Sequence, residues 1–458
     1  MCGVIERCRC LLVLLHCYRW YTPFYELSCL AGAFREIGVR TKRINKLNWN
    51  DHLEPLNGQR SAMQELLLKW CEVNSGSTNL DGLETMRQKI KEAFAQLPGE
   101  IEIVSSRPQE SISAQGELEH RKVGDLIRVT HNPQAPLRVL LAGHMDTVFD
   151  ANHAFQSAHF IDDDTLNAPG AADMKGGLIV MLYALKTVML SPFADQIGYE
   201  ILINADEEIG SHGSAWALTQ AASRAHFACV YEPALVDGSL AGARKGSGNF
   251  SVSIKGTTAH AGREHHLGVN AIVAGAEFIT CINELSGGRT GLTVNVAKLE
   301  GGGPNNVVPD NAVVRFNVRI EQPEDGDWFM GHLEEILTRM NKQNGLQLKS
   351  HGHFYRPPKP MDEQTEKFFQ AVRAVGADLN LTIKWVPTGG CCDGNNIAAA
   401  GIPVVDTLGV RGGKIHSTDE FVKLDSLEER AKLSALLLMK VAAGEIPNPG
   451  IKLNLETQ

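Results

Sequence analysis

At 458 residues the chain is too long for one ordinary core, so two domains are expected. Hydrophobic content of 43% against 21% charged fits a soluble globular protein, and a net charge of -9 argues against nucleic acid, because phosphate binding needs basic patches. No run of roughly 18 apolar residues appears, which argues against a membrane-spanning helix. Five of the ten cysteines (Cys2, Cys8, Cys10, Cys17 and Cys29) crowd the first thirty residues and the others are scattered. This is no disulfide framework, and a reducing, cytoplasmic setting is expected.

The first fifty residues differ from the rest. Arg7 and Arg9 precede Leu11 to Leu15 as in a miniature signal peptide, but His16, Tyr18 and Arg19 interrupt it and no small-residue cleavage site follows. The Cys8-x-Cys10 pair with His16 fits no zinc spacing well. Residues 1–52 are therefore read as a poorly ordered extension. Ser61 to Val73 has helical spacing, with Met63, Leu66, Leu67, Trp70 and Cys71 on one face, and a second helix is expected over Leu80 to Leu97.

Next come strands at Ile101 to Val104 and Leu126 to Val129 with a polar loop between them, and an apolar run from Leu137 that breaks at Gly143. Such a run, bounded by a turn residue, reads as a buried parallel strand. His144 and Asp146 follow it, and Asp173 sits in a Gly-rich turn before a long apolar helix. A strand over Tyr199 to Ala205 ends in Asp206-Glu207-Glu208, and one over Phe227 to Tyr231 ends in Glu232. Alternating strands and helices predict a mixed, largely parallel α/β sheet with helices on both faces (residues 53–245 and 359–458). Its strands deliver His144, Glu207, Glu208 and Glu232 to one rim, where ligands collect in open α/β sheets.

From 246 to 358 the pattern alternates apolar and polar: strands near Asn249 to Gly256, Thr293 to Glu300, Ala312 to Ile320 and Leu346 to His353, with helices over Gly268 to Leu285 and Trp328 to Asn344. That order is ferredoxin-like and reads as an inserted α+β domain. Glu363 to Val375 is then helical, a Gly-rich loop carries Cys391-Cys392-Asp393, and one more buried strand starts at Pro403. His416 hangs from the loop after it, and the last helix covers Ser426 to Ala443.

His144, Asp173, Glu208, Glu232 and His416 make an oxygen and nitrogen set suited to zinc, cobalt or manganese. Five ligands exceed one closed site and suit two metals bridged by a carboxylate, which in such sites lie ~3.5–4 Å apart. Three carboxylates and a bridging hydroxide balance two divalent ions, leaving Glu207 to take the water's proton. Asp146 is placed to hold the far imidazole nitrogen of His144.

His144-Met-Asp-Thr-Val, Gly170-x-x-Asp173-Met-Lys-Gly-Gly, Asp206-Glu-Glu-x-Gly-Ser and His416-Ser-x-x-Glu together resemble the family of acetylornithine deacetylase, succinyl-diaminopimelate desuccinylase, aminoacylase and bacterial glutamate carboxypeptidase. The resemblance covers about residues 53–445 and is nearest the glutamate carboxypeptidase branch, which shares Glu232-Pro233. It implies a zinc exopeptidase fold with a lid at 246–358. Asp173 would bridge two metals, with His144 and Glu232 on one, Glu208 and His416 on the other, and Glu207 as general base. It further implies a cis Asp173–Met174 peptide, a homodimer through the lid, and His260 reaching the partner's site. Asn306 and Arg319 would hold the substrate carboxylate, and Gly389, Gly390, Asp393 and Asn395 would flank it. The implied reaction is hydrolysis of an amide next to a free carboxylate, of carboxypeptidase or N-acyl amino acid deacylase type, with neither nucleic acid nor membrane as partner. Cys392 departs from the family's Ser or Thr. No histidine partner is evident for Cys391 or Cys392, so neither is expected to be a nucleophile.

Overall fold

The computed structural model describes residues 48–450, so the expectations for the extension fall almost wholly outside the described residues. The compact unit starts at Trp49. Helices α1 (Arg60–Cys71) and α2 (Leu80–Phe94) bury Met63, Leu67, Trp70, Leu83, Met86 and Ile90, as their periodicity predicts. Strands β1 (Glu100–Val104), β2 (Leu126–His131) and β3 (Leu137–His144) follow, then α3 (Gly176–Met189), β4 (Ile197–Asn204), α4 (Ala215–Ala222) and β5 (Phe227–Val230). The 246–358 region contributes β6 (Gly246–Lys255), α5 (Ala271–Asn283), β7 (Thr293–Gly301), β8 (Asn311–Ile320), α6 (Pro323–Met340) and β9 (Gln347–Arg356). The chain closes with α7 (Glu363–Asp378), α8 (Asp393–Ala398), β10 (Val404–Val405) and α9 (Asp425–Ala442).

The main sheet has the order β1-β2-β4-β3-β5-β10. Its β4, β3, β5 and β10 are parallel, and β1 and β2 extend it antiparallel. Side chains alternate across a strand, and here both faces are covered. Val139 and Leu141 of β3 join the core with α1, α3 and α9, while Leu140 and Ala142 join the one with α4 and Ile397. This double burial makes β3 apolar from Val139 to Ala142 and places His144 at its carboxyl end, where polar partners gather.

The second sheet, β7-β8-β6-β9, is antiparallel and keeps a core of its own under α5 and α6. Phe250, Val252 and Ile254 alternate with Ser251 and Ser253 along β6, and Phe250 stacks on Phe316 at 5.4 Å. Helix α6 starts earlier than its apolar spacing predicts, because Pro323 occupies the first turn and Gln322 with Asp325 forms a capping box. Strand β9 runs past His353 to Arg356. The stretch between β1 and β2 is not a plain loop but carries a hairpin, Gln109–Ile112 with Leu118–Arg121. Its backbone holds the second sheet: Arg315, Asn311 and Lys255 donate to the carbonyls of Ile112, Ala114 and Gln115.

Candidate metal centre

Parallel neighbours β4, β3 and β5 bring their carboxyl ends to one rim. His144 closes β3, the Asp206-Glu207-Glu208 loop follows β4, and Glu232 lies just past β5. Asp173 sits in the turn entering α3, where the Asp173–Met174 peptide is cis. His416 comes from a loop near the chain end and has a positive φ of 63°.

Asp173 stands between the two imidazoles. Its Oδ1 is 3.1 Å from His144 Nε2 and its Oδ2 is 3.3 Å from His416 Nε2. Glu232 Oε2 lies 3.8 Å from His144 Nε2, and Glu208 Oε2 lies 3.1 Å from His416 Nε2. Single ligand atoms of His144, Asp173 and Glu208 lie within 4.8 Å of one another, and so do those of His144, Glu207 and Glu232. Glu232 Oε1 is buried and accepts no hydrogen bond. A buried anionic oxygen without a donor is costly, and a cation seated between these groups would satisfy it. The donor set therefore fits divalent metal, with one carboxylate oxygen of Asp173 turned to each half of the site.

The electrostatics point the same way. His416 is pushed up to about 11 by its hydrogen bonds to Asp173 and Glu208. Glu208 is pushed up to about 8, first by burial and then by the neighbouring Asp173. Burial likewise raises Glu207 and Glu232. Asp173 is lowered: its burial acts upward, but the two histidines outweigh it. Without metal the cradle thus holds protons on His416 and Glu208 that a dication must displace. Both raised groups lose their protons as pH rises, so metal affinity should increase from about pH 6 to about pH 8, with proton release on binding. Calorimetric titration of the metal-free protein in buffers of different ionisation enthalpy checks this, and affinity independent of pH would contradict it.

The supports are as specific as the ligands. Asp146 is fully buried. Its carboxylate accepts from the backbone N–H of Glu207 (3.2 Å) and Glu208 (3.1 Å) and from Ser77 Oγ (2.8 Å), which fixes the acidic pair. His144 Nδ1 lies 3.0 Å from the Asp146 backbone carbonyl and 3.4 Å from its carboxylate, so the main chain shares in orienting the ring. Glu420 ends the His416 motif but receives no role from spacing alone. It is buried, and accepts from the amides of Gly170, Ala172 and Asp173 at 3.0, 3.0 and 3.1 Å. Glu420→Gln should weaken metal binding about 10–100-fold while the chain stays folded, as loss of a ligand's support does; equilibrium dialysis with Zn²⁺ measures it.

The remaining candidates divide. Asp393 and Asn395, expected beside the substrate, are buried frame residues. Asp393 accepts from Asn204 (2.7 Å), Ser211 and Arg356, and Asn395 donates to the carbonyls of Lys245 and Pro357. Gly389 and Gly390 are exposed. Arg319, half-buried, donates to Asn317 Oδ1 (2.9 Å) and to Cys391 Sγ (3.2 Å). His260 and Asn306 lie together elsewhere: Ala261 N–H donates to the Asn306 carbonyl, and His260 pairs with Val307. Among the described residues no hydrogen bond or ion pair joins His260 to the cluster, and its Nδ1 accepts from the amides of Gly262 and Arg263. Cys392 is buried, its thiol raised by that burial, which suits no nucleophile. No motif marks Arg356, which meets Glu207, or the buried trio Arg244, Lys359 and Asp406, whose ion pairs measure 2.7 and 3.0 Å. Isolated basic residues carry no spacing signal.

Comparison with known proteins gives the family. The profile of Peptidase family M20/M25/M40 matches residues 140–440. Carboxypeptidase G2 of Pseudomonas sp. (strain RS-16) is 30% identical over 329 residues, 70% of this chain and 78% of the relative. Succinyl-diaminopimelate desuccinylase of Psychrobacter arcticus is 27% identical over 346 residues, 71% of this chain and 83% of that protein. The crystal structure of the Bacillus subtilis YXEP protein, described as a dinuclear metal binding peptidase from the M20 family, superposes with a TM-score of 0.57 at 16% identity, over 84% of this chain and 98% of its own. The chain belongs to peptidase family M20/M25/M40 and is a metal-dependent hydrolase of amide bonds.

Proposed function

We propose that the chain cleaves an amide next to a free carboxylate, releasing an amino acid such as a C-terminal glutamate, with two zinc ions. The observation that carries this reading is Asp173, whose two oxygens face two histidines, His144 and His416, from distant segments of the chain. His144, Asp173 and Glu232 would hold one ion, and Asp173, Glu208 and His416 the other; cobalt or manganese suits the same donors. When bound, such a pair supplies Lewis-acid activation of a water and of the scissile carbonyl. Glu207 takes the proton of the attacking water and returns it to the leaving nitrogen. Asp146 keeps the His144 ring and the acidic loop aligned. A guanidinium fork suits a carboxylate, so Arg319 receives the free carboxylate of the substrate.

We also propose a homodimer through a lid at 246–358, set between catalytic parts at 53–245 and 359–458. The separate core of the second sheet supports that division. Because His260 Nδ1 accepts two amides, its proton sits on Nε2, where it can donate to a carbonyl oxygen. Its exposure, and the lack among the described residues of a hydrogen bond or ion pair to its own cluster, favour service in a partner's site, with Asn306 beside it. The second reading, an N-acyl amino acid deacylase, rests on the desuccinylase relative and uses the same groups.

A panel of N-acyl amino acids and dipeptides, assayed with zinc- or cobalt-loaded protein, separates the two. Dimer sharing has its own test: His260→Ala mixed with Glu207→Ala should recover about a quarter of wild-type activity, since random exchange places one intact site in half the dimers. No recovery under proven subunit exchange would contradict it.

A further inference from the structure

Arg356 stands where no motif pointed. It ends β9, the last strand of the second sheet, three residues beyond the expected stop at His353. The register of β9 against β6 slips there: Phe354 opposes Gly248 but Arg356 opposes Ser247, so Tyr355 is an extra residue. A bulge of this kind re-aims the side chain that follows. Without it Arg356 would share the apolar face with Phe354. With it, Arg356 joins Ser247 on the polar face, in one row with Arg319, which also pairs with Ser247.

The guanidinium is buried, 4% exposed, and both of its terminal nitrogens are used. Nη2 donates to Glu207 Oε1 (2.7 Å), to the Glu207 backbone carbonyl (2.9 Å) and to Ser211 Oγ (3.0 Å). Nη1 donates to Asp393 Oδ1 (3.1 Å) and reaches Asn396 Oδ1 (3.5 Å). Glu207 thus has its carboxylate and its own main chain held by one nitrogen of a rigid guanidinium, while the other nitrogen is anchored on Asp393, which balances the charge. Among the described residues Arg356 is the one cation ion-paired with Glu207. One carboxylate oxygen is engaged, and Oε2 is left for a proton.

We infer that Arg356 is a positioning residue for Glu207, holding the carboxylate where Oε2 can take the proton of the attacking water. The inference rests on the proposed role of Glu207 as general base. Lysine keeps the charge but not the fork, so Arg356→Lys isolates geometry from electrostatics.

The test combines kinetics with a melting cycle. On the best substrate of the panel, zinc-loaded Arg356→Lys should keep two metal ions per chain and a KM within about threefold, while kcat falls about 10–100-fold, the scale of a small misplacement of a catalytic group. In Arg356→Ala, added guanidinium ion should restore part of kcat. A raised KM with unchanged kcat would overturn the inference and make Arg356 a substrate ligand. Loss of kcat equal in the wild-type and Glu207→Gln backgrounds would also overturn it. Independently of any substrate, the melting-temperature drop caused by Arg356→Lys should be smaller in Glu207→Gln than in wild type, because groups in contact are not additive. Equal drops would show that Arg356 does not hold Glu207. A wild-type protein that hydrolyses nothing in the panel defeats the functional reading separately, and the melting cycle still decides whether the two residues are coupled.

Discussion

Glu207→Gln is expected to lower kcat about 10²–10⁴-fold, the range that general base catalysis contributes, while the protein still binds two divalent ions. The amide keeps the shape of the side chain and can still meet Arg356, but it cannot accept a proton. The backbone of Glu207 remains anchored to Asp146 at 3.2 Å and to Arg356 at 2.9 Å, so the loop carrying Glu208 should not move. Steady-state kinetics with metal analysis on the same sample decides the matter. A variant that loses an ion along with its activity would make Glu207 a ligand, a role its closeness to His144 and Glu232 also permits.

Asp173→Asn should do the reverse and empty the centre. A neutral amide offers one oxygen where the carboxylate offers two, and the two faces of Asp173 serve different histidines. Metal content is expected to fall from about two ions per chain to less than one, and hydrolysis to background, if Asp173 serves both halves as proposed. The turn itself should persist: Glu420 still binds the amides of Gly170, Ala172 and residue 173. The melting temperature of Asp173→Asn in chelator should therefore stay near that of the wild type in chelator. A variant that keeps two ions would remove Asp173 from the bridging place.

Much of this centre was legible because His144, the acidic pair and Glu232 sit at strand ends, and strands buried on both faces announce themselves as apolar runs. Leu137 to Ala142 locates His144, and the strand before Asp206 locates the acidic pair. The resemblance of the motifs supplied the pairing of ligands that spacing alone left open. The strand, helix, strand, strand, helix, strand order of residues 246–358 was visible because one face of the second sheet is polar, which alternation records. What the sequence hides is set by features that leave no periodic trace. The bulge at Tyr355 decides the face of Arg356, and the hairpin at Gln109–Arg121 binds through backbone carbonyls. Asp393 and Asn395 read as loop residues near a ligand. They are buried because they stitch β4, the Ser211 turn and the Pro357 segment together, and sequence distance hides such partners.

Metal analysis joined to a crystal structure of the zinc-loaded protein tests the central claim most directly. The account predicts two ions per chain, one beside His144, Asp173 and Glu232 and one beside Asp173, Glu208 and His416, with Asp173 touching both. A chain that takes up no divalent ion, or one whose Asp173 binds neither, would contradict it.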